Sequence, residues 1–270
     1  MITAAIVLFN NDIDKLNKAI FSFLDSKLDL KLFLIDNSPT DAIEKEISTS
    51  NKVQYIHNSS NIGFGAAHNI GINLSIKLKS NYHLILNPDV YFDSTVITEL
   101  VKYATNNKDV GLLMPLVLYP DERIQYLCRL LPTPLELFLR RFFFRSNFVN
   151  KLNEISALKF TGYNKIMNVP YLSGCFMFCK TDVLSEIGGF DNRFFMYMED
   201  LDLSRRINSK YKTIFYPNVH IYHHFEKGSF KNFKLLKHHL VSAVKYFNKW
   251  GWFFDSNRKT INNNCLKNLK

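Results

Sequence analysis

The first hundred residues alternate short β-branched, apolar runs with helix-patterned segments, and that alternation restricts the chain to a layered α/β architecture. Thr3 to Phe9 reads as a strand. Asn11 or Asp12 can cap a helix that carries Leu16, Ala19, Ile20, Phe23 and Leu24 three and four residues apart. Lys31 to Ile35, Val53 to His57 and Tyr82 to Leu86 read as three further strands. Ala66 to Leu78 reads as a helix with Ile70, Leu74 and Leu78 on one side. Asp93 or Ser94 opens another, with Val96, Ile97, Leu100, Val101 and Ala104. The pattern predicts a mainly parallel sheet flanked by helices, and ligands bind beyond the carboxyl ends of such strands. Polar residues gather at those ends: Asn10, Asp36-Asn37, Asn61 to Gly65, and Asn87-Pro88-Asp89.

With 47% apolar and 21% charged residues, the 270-residue chain belongs with globular proteins and not with disordered ones. A formal charge of +10 favours an anionic partner, such as a nucleotide, a phospholipid face or nucleic acid, or serves solubility alone. Cys128, Cys175, Cys179 and Cys265 match neither a zinc ribbon nor a redox pair, and read as reduced thiols of a cytosolic protein. Met1 to Phe9 lacks the features of a signal peptide. No apolar run approaches the roughly 20 residues that span a bilayer, so any membrane contact is expected to be peripheral.

From Tyr119 to Asn168 the pattern loosens around Pro120, Pro132 and Pro134, which predicts a partly helical insertion over the site. Arg140-Arg141-Phe142-Phe143-Phe144-Arg145 mixes cations with aromatics there. Regular structure resumes at Val169, with Ser173 to Phe178 as a strand. Then comes Glu199-Asp200-Leu201-Asp202, three carboxylates in four residues at a helix start. The dipole there favours negative charge, but three acids repel one another unless a cation or a reacting proton needs them. Phe230 to Phe254 reads as a basic helix with Phe233, Leu236, Leu240, Val244 and Phe247 on one stripe. Lys231, Lys234, Lys237 and Lys245 beside that stripe, with Trp250 to Phe254 after it, suit a helix lying on anionic lipid; packing on the domain is the other reading.

Four motifs in this order resemble the family 2 glycosyltransferases of GT-A fold, and most of all the bacterial rhamnosyltransferase-type members. They are Asp36-Asn37-Ser38, Asn61-Ile62-Gly63-Phe64-Gly65 through Gly71, Asn87-Pro88-Asp89, and Glu199-Asp200-Leu201-Asp202, with Gly188-Gly189-Phe190-Asp191 before the last. The resemblance implies an α/β GT-A domain over 1–229. Within it, 1–115 binds the nucleotide sugar, 116–168 is the helical insertion and 169–229 is the acceptor half. A basic amphipathic tail would follow over 230–270.

The resemblance also assigns roles. Asn10, Asp36, Asn37, Asn61, Gly63, Gly65 and Asn87 would bind a nucleoside-diphosphate sugar, with Asp36 at the base or ribose. Asp89 stands where the family carries an Asp-x-Asp metal motif. Its first acid is Asn87 here, which leaves one carboxylate for Mg2+ or Mn2+ beside the donor diphosphate. His224, with His223 as the alternative, and Ser229 match a histidine motif near the metal. Asp200 would be the base that deprotonates the acceptor hydroxyl in an inverting transfer, and Glu199 and Asp202 would orient the site or bind acceptor. The implied partners are dTDP-rhamnose as donor, a lipid-linked saccharide of a surface polysaccharide as acceptor, and the cytoplasmic face of the inner membrane, with no nucleic acid. A sugar-phosphate nucleotidyltransferase is the rival enzyme, but no basic, glycine-rich loop follows the first strand. A non-catalytic polysaccharide- or membrane-binding module gives no reason for the two acidic motifs.

Overall fold

A computed structural model describes residues 1–47, 50–143, 146–225 and 233–269. In chain order the first half runs β1 (Ile2–Leu8), α1 (Ile13–Leu24), β2 (Leu30–Asp36), β3 (Val53–His57), α2 (Phe64–Lys77), β4 (Tyr82–Leu86), β5 (Val90–Tyr91), α3 (Thr95–Asn106) and β6 (Val110–Leu118). The second half runs β7 (Cys128–Arg129), α4 (Pro134–Phe142), α5 (Asn147–Ser156), β8 (Met167–Asn168), β9 (Tyr171–Leu172), β10 (Phe176–Lys180), α6 (Thr181–Ile187), α7 (Glu199–Asn208), β11 (Lys212–His223), α8 (Phe233–Trp250) and α9 (Ser256–Leu269).

One sheet takes the order β3-β2-β1-β4-β10-β6-β11-β5, with β8 added on β11. The first four strands are parallel, in register at Leu8↔Asp36, Ile6↔Leu86 and Asp36↔His57. β1 and β2 are buried along nearly their whole length because helices cover both faces. Strand β10 then runs antiparallel to both neighbours, so its start, Phe176, lies opposite the end of β4 at Leu86. That reversal delivers the residues before β10 to the edge where β1, β2 and β4 finish. β11 pairs antiparallel with β5, setting His223 against Val90, next to Asp89. β7 and β9 form a separate ribbon in which Arg129 faces Tyr171.

Asp12 caps α1, accepting from the Asp14 and Lys15 backbone N–H groups at 3.0 and 3.1 Å. The helix buries Leu16, Ala19, Ile20 and Phe23 on the sheet, each large side chain contributing about 2 kcal/mol. On the other face, Gly71 lets α2 approach β1: a Cβ there would strike that of Ala5 at 2.5 Å.

Helices α8 and α9 are built into the body. Tyr246 and Phe247 of α8 join Leu131, Phe194, Met198 and Leu201 in one buried cluster. Cys265 and Leu269 of α9 enter the main core. Of the stripe expected on α8, Phe247 is buried and Leu236 lines the cleft described below, but Phe233, Leu240 and Val244 are exposed. The helix thus has a docked face and a second, exposed apolar face. All four cysteines are free and buried. Among the described residues no helix is long and apolar enough to cross a membrane.

Candidate active site

The strand ends open onto one cleft of about 2000 Å³. Asn10, Asn37, Asn61, Asn87, Asp89, Glu199 and Asp200 all line it. On the first-half side, asparagines tie the strand ends together. Asn37 accepts from Asn58 Nδ2 at 2.8 Å and donates to the Gly63 carbonyl at 3.3 Å. Asn61 in turn accepts from the Gly63 N–H at 2.9 Å. Asn10 has a left-handed backbone, φ 50°, and its N–H donates to Ser38 Oγ at 2.9 Å. Asn87 N–H donates to the Cys175 carbonyl at 2.9 Å, joining β4 to the approach of β10.

Asp36 does not line this cleft. It is fully buried behind it, accepting from the Ser38 N–H at 2.8 Å and from Tyr55 Oη at 2.5 Å. Gly63 and Gly65 are likewise behind the wall. A side chain on Gly63 would strike the Phe195 carbonyl, which accepts from the Phe64 N–H at 2.9 Å. One on Gly65 would meet Phe190 at 3.0 Å and Glu199 at 3.6 Å. The glycines therefore dock the start of α2 on the segment that leads into α7, and touch no ligand space directly.

Asp89 faces His223, whose Nε2 is 3.5 Å from Asp89 Oδ1, while Gln125 Oε1 pairs with His223 Nδ1 at 3.0 Å. His224 is not the partner: its ring lies against Tyr91, and only its backbone N–H meets Asp89, through the carbonyl at 3.1 Å. His223 closes β11 with its ring toward Asp89, and His224, one residue beyond the strand, lays its ring on the Tyr91 side. Burial opposes charge on His223, but the Cys175 sulfur and the Asp89 carboxylate outweigh it and push the ring up to about 10. Near neutral pH that keeps the ring protonated, so a metal ion held by Asp89 and His223 would have to displace this proton; the carboxylate and the resulting neutral imidazole form a partial donor set for Mg2+ or Mn2+, with other positions left for phosphate oxygens and water. Among the described residues no cluster of three such ligands forms. Ser229 and the proposed boundary at 229 lie outside the described residues, as do Arg145 and Lys231.

The acidic turn divides by direction. Asp200 Oδ2 accepts from the Gly174 N–H at 2.9 Å and from Tyr171 Oη at 3.2 Å, and Oδ1 from the Leu201 N–H at 2.8 Å. Burial nevertheless raises it above the ordinary carboxylate value. Glu199 is buried, and its Oε2 has no hydrogen-bond partner. Burial, and then the charge of Asp200, push Glu199 up to about 8. Asp202 points away from the cleft: it is fully buried and meets Arg206 at 2.8 Å, Lys249 at 2.7 Å and Trp250 Nε1 at 2.8 Å. The expected acceptor contact of Asp202 is thus replaced by a clamp between α7 and α8. Tyr197 and Met198, immediately before α7, both take left-handed backbones, φ 68° and 67°, which stores strain at this entry.

Tyr171 and Gly174 are site residues with no local sequence signal. A Cβ on Gly174 would sit 3.0 Å from that of Asp200. The chemistry available is a carboxylate held by three donors across a wide cleft from a carboxylate–imidazole pair.

A match to the family described as glycosyl transferase family 2 spans residues 3–188. The N-acetylglucosaminyl-diphospho-decaprenol L-rhamnosyltransferase of Mycobacterium tuberculosis is 25% identical over 215 residues, covering 72% of this chain and 66% of that protein, a little under two thirds of its length. Rhamnosyltransferase WbbL of Escherichia coli K12 is 27% identical over 195 residues, covering 68% of this chain and 69% of the relative. Among solved structures, the mannosyltransferase PcManGT from Pyrobaculum calidifontis, in complex with GDP-Man and Mn2+, superposes with a TM-score of 0.60 at 15% identity, covering 97% of this chain and 68% of that one. At that identity the likeness speaks for the GT-A fold alone.

Proposed function

The chain belongs to glycosyl transferase family 2, and from that premise we propose that it transfers a sugar, with inversion, from a nucleoside-diphosphate donor to a lipid-linked saccharide. The observation that carries this reading is the single cleft lined by both Asp89 and Asp200. Rhamnose from dTDP-rhamnose is the proposed donor, and a surface-polysaccharide intermediate the proposed acceptor. The rhamnosyltransferase names of two relatives support rhamnose as the sugar, and the name of the mycobacterial one supports a diphospho-lipid-linked saccharide as acceptor.

In this reading Asn10, Asn37, Asn61 and Asn87 line the donor's half of the cleft. Asp36 shapes that half indirectly, by fixing the turn at Ser38. Asp89 and His223 would hold Mg2+ or Mn2+, which when bound neutralises charge on the leaving diphosphate. Asp200 takes the acceptor hydroxyl proton as that oxygen attacks the anomeric carbon. The bond from that carbon to the diphosphate oxygen breaks with its electron pair, and the nucleoside diphosphate departs. The Gly174 N–H and Tyr171 Oη hold Asp200 in position. Work at the cytoplasmic membrane face fits the exposed Leu135, Phe138, Phe142 and Phe233.

The test is release of nucleoside diphosphate from dTDP-rhamnose with Mn2+ and a lipid-linked acceptor. Asp200→Asn is expected to keep donor affinity and to lower kcat by about a hundredfold or more. Full turnover in that variant removes Asp200 as the base.

A further inference from the structure

The same cleft contains a cationic pair that the proposed chemistry leaves without a task. Arg129 of β7 and Arg140 of α4 both line it. Arg129 Nη1 is buried and has no hydrogen-bond partner. Arg140 stands 3.7 Å from Glu136 Oε1, too far for a hydrogen bond, and that oxygen is itself unpartnered. Burial and the neighbouring Arg129 push Arg140 down to about 10, the sign of two cations in a partly dry wall. Burial, then Arg141 and Arg140, likewise push His239 in the same wall down to about 4, so it adds no charge near neutral pH. Glu136 offsets part of this repulsion at Arg140, and an anion that met both guanidinium groups would offset more.

Position and chemistry identify the anion. Arg129 faces Tyr171 across the β7–β9 ribbon, and Tyr171 donates to Asp200. The pair therefore belongs to the ribbon and insertion beside the base, whereas Asp89 and His223 belong to β4, β5 and β11. Forked guanidinium donors suit phosphate oxygens. Phe138, Phe142 and Phe143, on and just after the helix that carries Arg140, are each about half exposed, and Phe142 also lines the cleft. They offer a path for hydrocarbon from the cationic pair to the surface.

We infer that Arg129 and Arg140 seat the diphosphate of a prenyl-diphosphate-linked acceptor, with its lipid leaving along α4. This rests on the glycosyltransferase reading above. The test is binding of three probes to the full chain: farnesyl diphosphate, inorganic pyrophosphate and dTDP. Farnesyl diphosphate is expected to bind at least tenfold more tightly than pyrophosphate. Arg129→Ala and Arg140→Ala are each expected to weaken it about 10- to 100-fold while dTDP affinity stays within twofold. Arg→Lys at either position should fall between, because charge remains and the fork is lost. Thermal melting no lower than wild type in the Ala variants excludes misfolding. Equal binding of pyrophosphate and farnesyl diphosphate overturns the lipid assignment. A parallel loss of dTDP binding overturns the acceptor assignment and gives the arginines to the donor. Wild-type chain that binds farnesyl diphosphate through these arginines but releases no nucleoside diphosphate would sink the enzymatic reading alone.

Discussion

Glu199 and Asp200 are adjacent carboxyls in the first turn of α7 with opposite surroundings. Asp200 receives three hydrogen bonds, and Glu199 Oε2 receives none. Both are raised by burial, and they repel one another. A pair so coupled shares one proton over a wide pH range. The donors decide where it sits: hydrogen bonds to the charged form keep Asp200 ionised, and the proton stays on Glu199. A neutral Glu199 spares the base a second full charge beside it.

This arrangement predicts how stability varies with pH. Glu199 has a folded value of about 8 against an ordinary 4.5. Between those values the unfolded chain loses the proton and the folded chain keeps it, so this group's contribution is full below the lower value and falls as pH rises toward the upper. Glu199→Gln keeps the neutral shape and removes the penalty. The variant should be more stable than wild type at pH 7.5, by an amount on the order of 2 kcal/mol, with the difference vanishing near pH 4. Urea denaturation across that range measures it. A constant difference at all pH values would assign Glu199 the ordinary carboxylate range.

The sequence patterns anticipate the β3 and β4 spans and the Asp12 cap because those signals are local: a strand bounded by turn residues, or a side chain that reaches its own backbone. Strands β6 and β11 contain Pro115 and Pro217, a residue type that ordinarily argues against a central strand. The sheet tolerates them through a register shift between Tyr216 and His220, which no single-strand pattern reveals. Helix α9 escapes notice because its Asn262-Asn263-Asn264 run looks solvated, whereas Asn262 bonds both backbone groups of Leu131 at 2.9 Å. In the site, residue type was readable and direction was not. Asp36, Asp200 and Asp202 are the same side chain, and only long-range packing makes one a turn anchor, one cleft-facing and one a clamp. Tyr171 reaches Asp200 from another element altogether.

The clamp has a counterpart one turn further along α7. Arg205, 2% exposed, meets Asp255 at 2.7 and 2.8 Å and lies 4.0 Å above the Trp250 ring. Removing one partner of such a buried pair strands the other charge. Asp255→Ala should therefore destabilise the fold by about 3–5 kcal/mol. The double variant Arg205→Met, Asp255→Leu should recover most of that loss, since packed apolar groups replace buried ion pairs at little cost. Thermal or urea unfolding reports both. A loss under 1 kcal/mol in the single variant would mean that α8 and α9 are not needed to hold α7.

The two adjacent histidines separate by the same logic of direction. His223 faces Asp89, and the His224 ring lies tilted against Tyr91. His223→Ala should raise the Mn2+ concentration that half-saturates dTDP-rhamnose binding by about tenfold or more, whereas His224→Ala should change it less than threefold. Titration of Mn2+ at fixed donor, followed by thermal shift, compares them. The reverse ranking would return the metal to His224.

The exposed apolar residues on α4 and α8 make the last prediction. Phe233 is 83% exposed, Leu135 64% and Phe138 52%, and Leu240, Val241 and Val244 continue along α8. Lys237 shares that outer surface. Hydrophobic burial in the headgroup region and attraction of cations to anionic lipid act together at such a surface, each cation adding about 1 kcal/mol. Because α8 and α9 carry part of the core, deleting them would unfold the chain and prove nothing about the membrane. Point changes on the outer surface are the clean probe. Leu135→Ser, Phe138→Ser and Phe233→Ser combined should abolish flotation with phosphatidylglycerol-containing liposomes while leaving the melting temperature within a few degrees, since these side chains bury little in the folded chain. Wild-type flotation should weaken with salt. Equal flotation of variant and wild type would assign the exposed face to something other than a bilayer.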